Sequence, residues 1–293
     1  MDVFDVAILG DGRWHADSLT RAFARLGLEA RRLRWVDLRL DATAPGGIAG
    51  PFAALPRAVV VRGMPGGSFE RITLRLGLLR ALEAAAVFVA NPPRAIEACT
   101  DKSETSLVLR RAGLPTPDFW CCESGAAARL VAAREASPQR PLVAKPLFGA
   151  QGRGLRLICG PDDLPGEEEV AGVWYLQRYV ERPGWFDLRL FVVDGRVVAA
   201  MRRENGHWIT NVHQGGRGVG ITAPPELAGS AVAAARALGT FFAGVDVAVD
   251  VQGRPWILEV NAMPAWKALQ AASGVDVAAE LAAAVARRIG AAP

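Results

Sequence analysis

The feature that most constrains this chain is an alternation of two periods in its first hundred residues. "DVAILG" (5–10), "RAVVVRG" (57–63) and "VFVAN" (87–91) are short apolar runs of strand type. "HADSLTRAFARLG" and "FERITLRLGLLRALEAA" lie between them, with apolar residues at helical spacing. Gly27 closes the first helix as a C′ glycine, and Pro92–Pro93 opens a further one. Strands that alternate with helices predict a parallel sheet with helices on its faces. "GDG" at 10–12 invites a dinucleotide-binding reading. Position 15 is His15, the third glycine is missing, and that reading is rejected.

Near Cys99 the pattern changes. A helix "DKSETSLVLRRAG" and a turn "LPTP" lead into strand-rich sequence, including a hairpin on the Asp-Gly turn of "VVDGRVVAA". An Ala-rich helix from about Val275 to Arg288 ends the pattern. The expected class is therefore α/β followed by α+β, in three parts: 1–97, 98–176 and 177–293.

Of 34 Lys and Arg residues, three are lysine: Lys102, Lys145 and Lys267. Lys145 stands in "PLVAKPLFGAQGRGLRLI", beside glycines 149, 152 and 154, in what reads as a hairpin. A compact ammonium on a flexible stem suits a phosphate oxygen, and glycines let backbone N–H groups approach one. No G-x-x-x-x-G-K-[ST] loop occurs, and no kinase signature.

"GVDVAVDVQGRPWILEVNAMP" reads as a second hairpin. A two-residue loop at Gln252–Gly253 would pair Val251 with Arg254 and so set Asp246 opposite Glu259. Asn261, two residues on, would share their face. Three oxygen ligands with no sulfur or imidazole form a set for Mg2+ or Mn2+. Asp250 falls on the same face near the turn, where water is expected to solvate it.

The net charge of +4 is modest and the arginines are spread along the chain, so no nucleic-acid groove is expected. No apolar run reaches the length of a membrane span, and "MDVFDVAILGDG" does not read as a secretory signal. Cys99, Cys121, Cys122 and Cys159 show no C-x-x-C spacing and read as reduced thiols of a cytoplasmic protein.

The order "DKSETSLVLRRAGLPTP", "VAKPLFGAQGRG", "YLQRYVERPGWFDLRLFVV", "AAMRRENGHWITN" and "GVDVAV…WILEVNAMP" resembles the ATP-grasp superfamily, and within it the RimK-like amino-acid ligases, over about residues 95–290. That resemblance implies an ATP-grasp fold behind an N-terminal α/β domain. It implies ATP and two Mg2+ (or Mn2+) ions as cofactors. Lys102 and Lys145 match the lysines on the phosphates. Gly149, Gln151, Gly152 and Gly154 match the phosphate-covering loop. Gln177, Arg178, Tyr179 and Val180 match the hinge at the adenine edge, and Asp187 the ribose-binding acid. Arg203 and Asn211 match residues at the triphosphate and reacting centre, with Arg203 and Lys145 the catalytic pair. Asp246, Glu259 and Asn261 match the metal ligands.

Arg178 replaces a glutamate common in relatives, and Ile209 replaces an arginine. Segments such as "VRGMPGGSFERITLRLGLLRALE", "VFVANPPRAIEACTDK" and "EVNAMPAWKALQ" look like ligases of the tetrahydromethanopterin pathway. The activity so implied joins an amino acid, L-glutamate, to a small-molecule carboxylate. The alternatives are a peptide- or protein-modifying ligase of the same fold, a small-molecule kinase, or a non-catalytic ATP-binding module. His213 reads as structural rather than substrate-touching; the tryptophans read mostly as core or hairpin packing, with Trp266 alternatively a residue that could flank a flat ring. Whether the chain is a homo-oligomer stays open.

Overall fold

The computed structural model describes residues 3–10, 13–149, 152–211 and 214–291. Strands β1 (Val6–Leu9), β2 (Ala30–Leu33), β5 (Ala58–Val61) and β6 (Phe88–Ala90) form the expected all-parallel sheet, in the order β2-β1-β5-β6. Helices α1 (Arg13–Ala24) and α2 (Phe69–Ala84) connect its strands, and α3 (Pro93–Thr100) follows it. A two-residue hairpin, β3 (Arg39–Leu40) with β4 (Ile48–Ala49), was not expected from the sequence.

Helix α4 (Lys102–Arg111) starts where Asp101 caps it, accepting from the amides of Ser103 and Glu104. The next sheet has the order β7-β10-β8-β9, from β7 (Phe119–Cys122), β8 (Leu142–Lys145), β9 (Arg156–Ile158) and β10 (Trp174–Arg178), with α5 (Gly125–Glu135) against it. β8 and β9 are the hairpin that carries the glycines. The expected boundary at 176/177 falls inside β10, so this sheet ends at Arg178.

The third sheet has the order β13-β12-β11-β14-β15. Its strands are β11 (Phe186–Val193), β12 (Arg196–Glu204), β13 (Arg217–Gly220), β14 (Phe242–Val249) and β15 (Pro255–Asn261). Asp194 and Gly195, with φ of 45° and 76°, make the expected turn between β11 and β12. Helices α6 (Pro225–Ala237), α7 (Lys267–Ser273) and α8 (Val277–Arg288) complete the chain.

The N-terminal and C-terminal sheets share their cores: Val59, Val61 and Leu79 cluster with Leu190, Val245 and Val260, and Ile8 and Phe23 with Phe242 and Leu281. The central sheet keeps a small core of its own around Ala132, Leu142, Ala144, Ile158 and Leu176. The fully buried Asn91 pins the first union. Its amide donates to the carbonyls of Phe242 and Ala262, and its Oδ1 accepts from the amides of Phe241 and Phe242. No single helix among the described residues is long and apolar enough to cross a membrane.

Candidate active site

A cleft between the central and C-terminal sheets is lined by Lys102, Lys145, Gly149, Gly152, Gln177 to Val180, Asp187, Arg203, Asn211, Asp246 and Glu259. Residues expected to act together from sequence therefore do converge. Gly154 and Asn261 do not line it, and Gln151 and His213 lie outside the described residues.

Asp246 lies opposite Glu259, as expected, but the register reaches that pairing by another route. Near the turn Val249 faces Pro255 and Val247 faces Ile257, one step from the expected pairing. A bulge between Asp246 and Val247, with Leu258 as the extra residue, restores it. The turn itself is longer than two residues: Asp250 N donates to Arg254 O, and Gly253 N to Asp250 O. Asp250 is not left to water. Its carboxylate accepts from the amides of Gln252 and Arg254, from Arg254 Nε and from Trp256 Nε1. Burial would raise its pKa, but these donors hold it down to about 2.

Two buried carboxylates are clasped by arginines. Arg203 grips Asp187 with two bonds, 2.6 and 2.7 Å, and Thr210 adds a third at 2.7 Å. Arg189 grips Asp246 in the same fashion, and Arg203 Nη2 lies 3.0 Å from Asp246 Oδ2. Burial alone would raise the pKa of Asp246, but the two guanidinium groups more than offset it, so the carboxylate stays ionised. Burial would likewise lower Arg203, and Asp246 and Asp187 together raise it instead. Asp187, expected on ribose, thus has three donors already and orients Arg203.

Sequence reasoning missed Arg189, although strand alternation places it on the same face as Asp187, two residues earlier. Glu259, by contrast, is half-buried with no hydrogen-bond or ion-pair partner among the described residues. Asn261 Oδ1 accepts from the amide of Met263.

Lys145 ends β8 and donates to Gln177 Oε1 at 2.6 Å. Burial of its ammonium, offset in part by Glu259, pulls its pKa down to about 8. Lys102 donates to the carbonyls of Leu147 and Gly149, at 3.3 and 2.9 Å, so here it holds the glycine loop. Gly152 (φ 71°) sits where a Cβ would lie 2.7 Å from Asn211 Oδ1 and 3.0 Å from Ile209 Cγ2. Only a glycine lets the loop approach that segment so closely.

Arg178 turns its guanidinium away, to the carbonyls of Glu135 and Arg140. The amides of Arg178 and Tyr179 are committed to the carbonyls of Asp118 and Pro141, which leaves Val180 as the hinge amide without a backbone partner among the described residues. Trp266 is fully buried, with His15 and Phe191 edge-on to its ring and Arg62 over it. It therefore has no open face for a flat ring.

The residues fit MgATP. Gln177 Nε2 is a buried donor without a partner, Gly152 leaves the space a side chain would fill, and Glu259 and Asn261 offer hard oxygen to a metal. Among the described residues no group of three His, Cys, Asp or Glu side chains could hold a metal ion, so this set rests on two carboxylates and an amide oxygen.

A model of the RimK-like ATP-grasp domain matches residues 99–285. The chain is 33% identical over 256 residues to the tetrahydromethanopterin:alpha-L-glutamate ligase of Methanosarcina acetivorans, spanning 75% of this chain and 77% of that protein. It is 35% identical over 215 residues to the ligase of that name from Methanococcus maripaludis, spanning 71% and 72%. Among solved structures, the ATP-grasp ligase PsnB with its minimal precursor superposes with a TM-score of 0.76 at 24% identity, covering 98% of this chain and 99% of that one. The RimK domain protein of Sphaerobacter thermophilus gives 0.70 at 23%, covering 95% and 98%. PsnB has also been seen with Mg and ADP.

The chain belongs to the RimK-like ATP-grasp family, and with it to the ATP-dependent ligases that form C–N bonds. ATP and Mg2+ go with that family, and the fold is the ATP-grasp fold that the motifs implied.

Proposed function

We propose that this enzyme joins L-glutamate to a carboxylate of a tetrahydromethanopterin-type acceptor. The observation that carries the chemistry is the cleft itself, with Lys145 and the glycine loop on one side and Arg203, Asp246 and Glu259 on the other. The identity to two tetrahydromethanopterin:alpha-L-glutamate ligases supports the substrates.

An acceptor carboxylate oxygen attacks the γ-phosphorus of ATP, the bond to the bridging oxygen breaks, and ADP leaves an acyl phosphate. The amine of glutamate then attacks the acyl carbon. The C–O bond to phosphate breaks, the amine loses a proton, and an amide and inorganic phosphate result. Phosphoryl transfer asks mainly for positioning and charge neutralisation. Lys145 and Arg203 supply positive charge around the transferred group, and Asp187 and Asp246 hold Arg203 in place. Two Mg2+ ions, held by Asp246, Glu259 and Asn261, would neutralise the phosphate oxygens. Lys102, Gly149, Gly152 and Gly154 close over the phosphates, and Asn211 meets the closed loop. Gln177 and Val180 serve the adenine edge, with Arg178 and Tyr179 supporting the hinge.

The test is phosphate release from ATP with each amino acid in turn, in the presence of a tetrahydromethanopterin extract. Release that requires L-glutamate supports the reading. ADP formed without free phosphate and without any need for an amino acid, the balance of a kinase, overturns it.

A further inference from the structure

At the C-terminal end of β5, Arg62 is 7% exposed. Its Nη2 donates to the carbonyl of Pro264 at 2.8 Å, while its Nε and Nη1 are buried with no partner. No described carboxylate forms an ion pair with it. Burial pulls its pKa down, but only to about 9, so the guanidinium is a cation at neutral pH. A buried, unpaired, hydrogen-bond-deficient cation is costly unless a ligand completes it. The described surroundings add no anion. Trp266 lies under the guanidinium, 4.1 Å from its Cζ, and Phe242 flanks it. His15, held neutral by burial and by Arg62 with a pKa of about 4, accepts from the Trp266 amide. Trp266 Nε1 is itself a buried donor without a partner.

The place is as informative as the charge. Arg62 stands at the strand end where open parallel sheets bind ligands, and Gly10 approaches Gly63 so closely that a Cβ would lie 2.7 Å from its amide nitrogen. From Arg62 a continuous path leads to the reacting centre. Pro264, which accepts from Arg62, is three residues past Asn261. A Cβ on Gly244 would lie 2.8 Å from the Pro264 ring and 2.4 Å from Arg189 Nη1. Arg189 in turn clasps Asp246. Three residues of chain span at most about 11 Å, which bounds the separation of Pro264 from Asn261.

A planar fork of N–H donors matches a carboxylate. We propose that Arg62 anchors a carboxylate of the amino-acid substrate that takes no part in the new bond, and so positions the amine for attack. This rests on the ligase reading above. Trp266 covers one face of the guanidinium and His15 packs edge-on against Trp266, which favours a small amino acid over a large acceptor.

The test uses full-length protein labelled with 15N-arginine, with MgADP bound. The Nε–H resonance of Arg62 is assigned by its absence from Arg62→Lys. L-glutamate, its α-amide and its γ-amide are titrated in turn. The expected result is a saturable shift with L-glutamate and with the one amide that keeps the anchored carboxylate. In turnover, Arg62→Lys is expected to raise the KM for L-glutamate about 10- to 100-fold with the KM for ATP within about twofold. A purely structural arginine would lower Tm and leave the glutamate KM alone. An unmoved resonance at saturating L-glutamate overturns the proposal, as does a shift seen only with acceptor. If the resonance moves but wild type turns the acceptor into a phosphorylated product and forms no amide with any amino acid, the ligase reading fails and the carboxylate site stands.

Discussion

Asp246 faces Glu259 across two antiparallel strands because Leu258 bulges from the ladder between them. The two carboxylates have opposite surroundings. Arg189 and Arg203 hold Asp246, whereas Glu259 has no described partner. Their substitutions should therefore differ. Glu259→Gln keeps the volume and removes an unpaired charge, so the fold should be unaffected while turnover falls at least about 100-fold. Asp246→Asn leaves the buried Arg189 guanidinium without its carboxylate, while Arg203 keeps Asp187, and should also cost about 3–5 kcal/mol of stability. Denaturant unfolding and phosphate release on both variants check this, and wild-type-like turnover in Glu259→Gln would remove the metal assignment.

Lys145 gives the nucleotide site a pH dependence. Its free pKa is lowered to about 8. Phosphate stabilises the ammonium, so the pKa rises when nucleotide binds. Affinity is then greatest below pH 8 and falls as pH climbs above it, by up to about tenfold per unit until the bound pKa is passed. Calorimetric titration of a non-hydrolysable MgATP analogue between pH 7 and 9 measures the effect. Lys145→Met should bind roughly 10- to 150-fold more weakly at pH 7 and lose the dependence. Lys145→Arg should also bind weakly, because a longer planar group must fit under the loop.

The glycine loop depends on close approach. Gly152→Ala places a methyl against Asn211 and Ile209 at a positive φ, so the KM for ATP should rise with little change in Tm. In wild type, amide hydrogen exchange at Gly149 and Gly152 to Gly154 should slow when the MgATP analogue binds. Unchanged exchange would mean that the loop does not cover phosphate.

Asn91 holds the N-terminal layer to β14 and the end of β15. Asn91→Ala leaves four buried backbone groups of Phe241, Phe242 and Ala262 without it. A loss of about 2–4 kcal/mol is expected from denaturant unfolding. A loss below about 0.5 kcal/mol would show that the junction has other support.

Much of this was legible in the sequence, for reasons that differ by residue. The parallel sheet follows from alternating periods, and Lys145 stood out because lysine is rare in this chain. The facing of Asp246 and Glu259 was right although two steps toward it were wrong, since the longer turn and the bulge at Leu258 cancel. Bulges leave no periodic mark, so only the structure shows this. Arg62 and Arg189 were hidden by the abundance of arginine, where no single one carries a signal. Trp266 is the core residue that tryptophans in this chain mostly read as, and the ring-flanking alternative falls because Arg62 and His15 cover it, which the sequence does not show.

The central claim is that ATP energy ends in a new C–N bond. The direct measurement is mass spectrometry of a purified tetrahydromethanopterin-type acceptor after incubation with the enzyme, MgATP and L-glutamate, with ADP and phosphate measured together. The account predicts an acceptor heavier by one or more glutamyl residues, with one ADP and one phosphate formed per residue added. A phosphorylated acceptor that carries no glutamate, at any enzyme concentration, would contradict it.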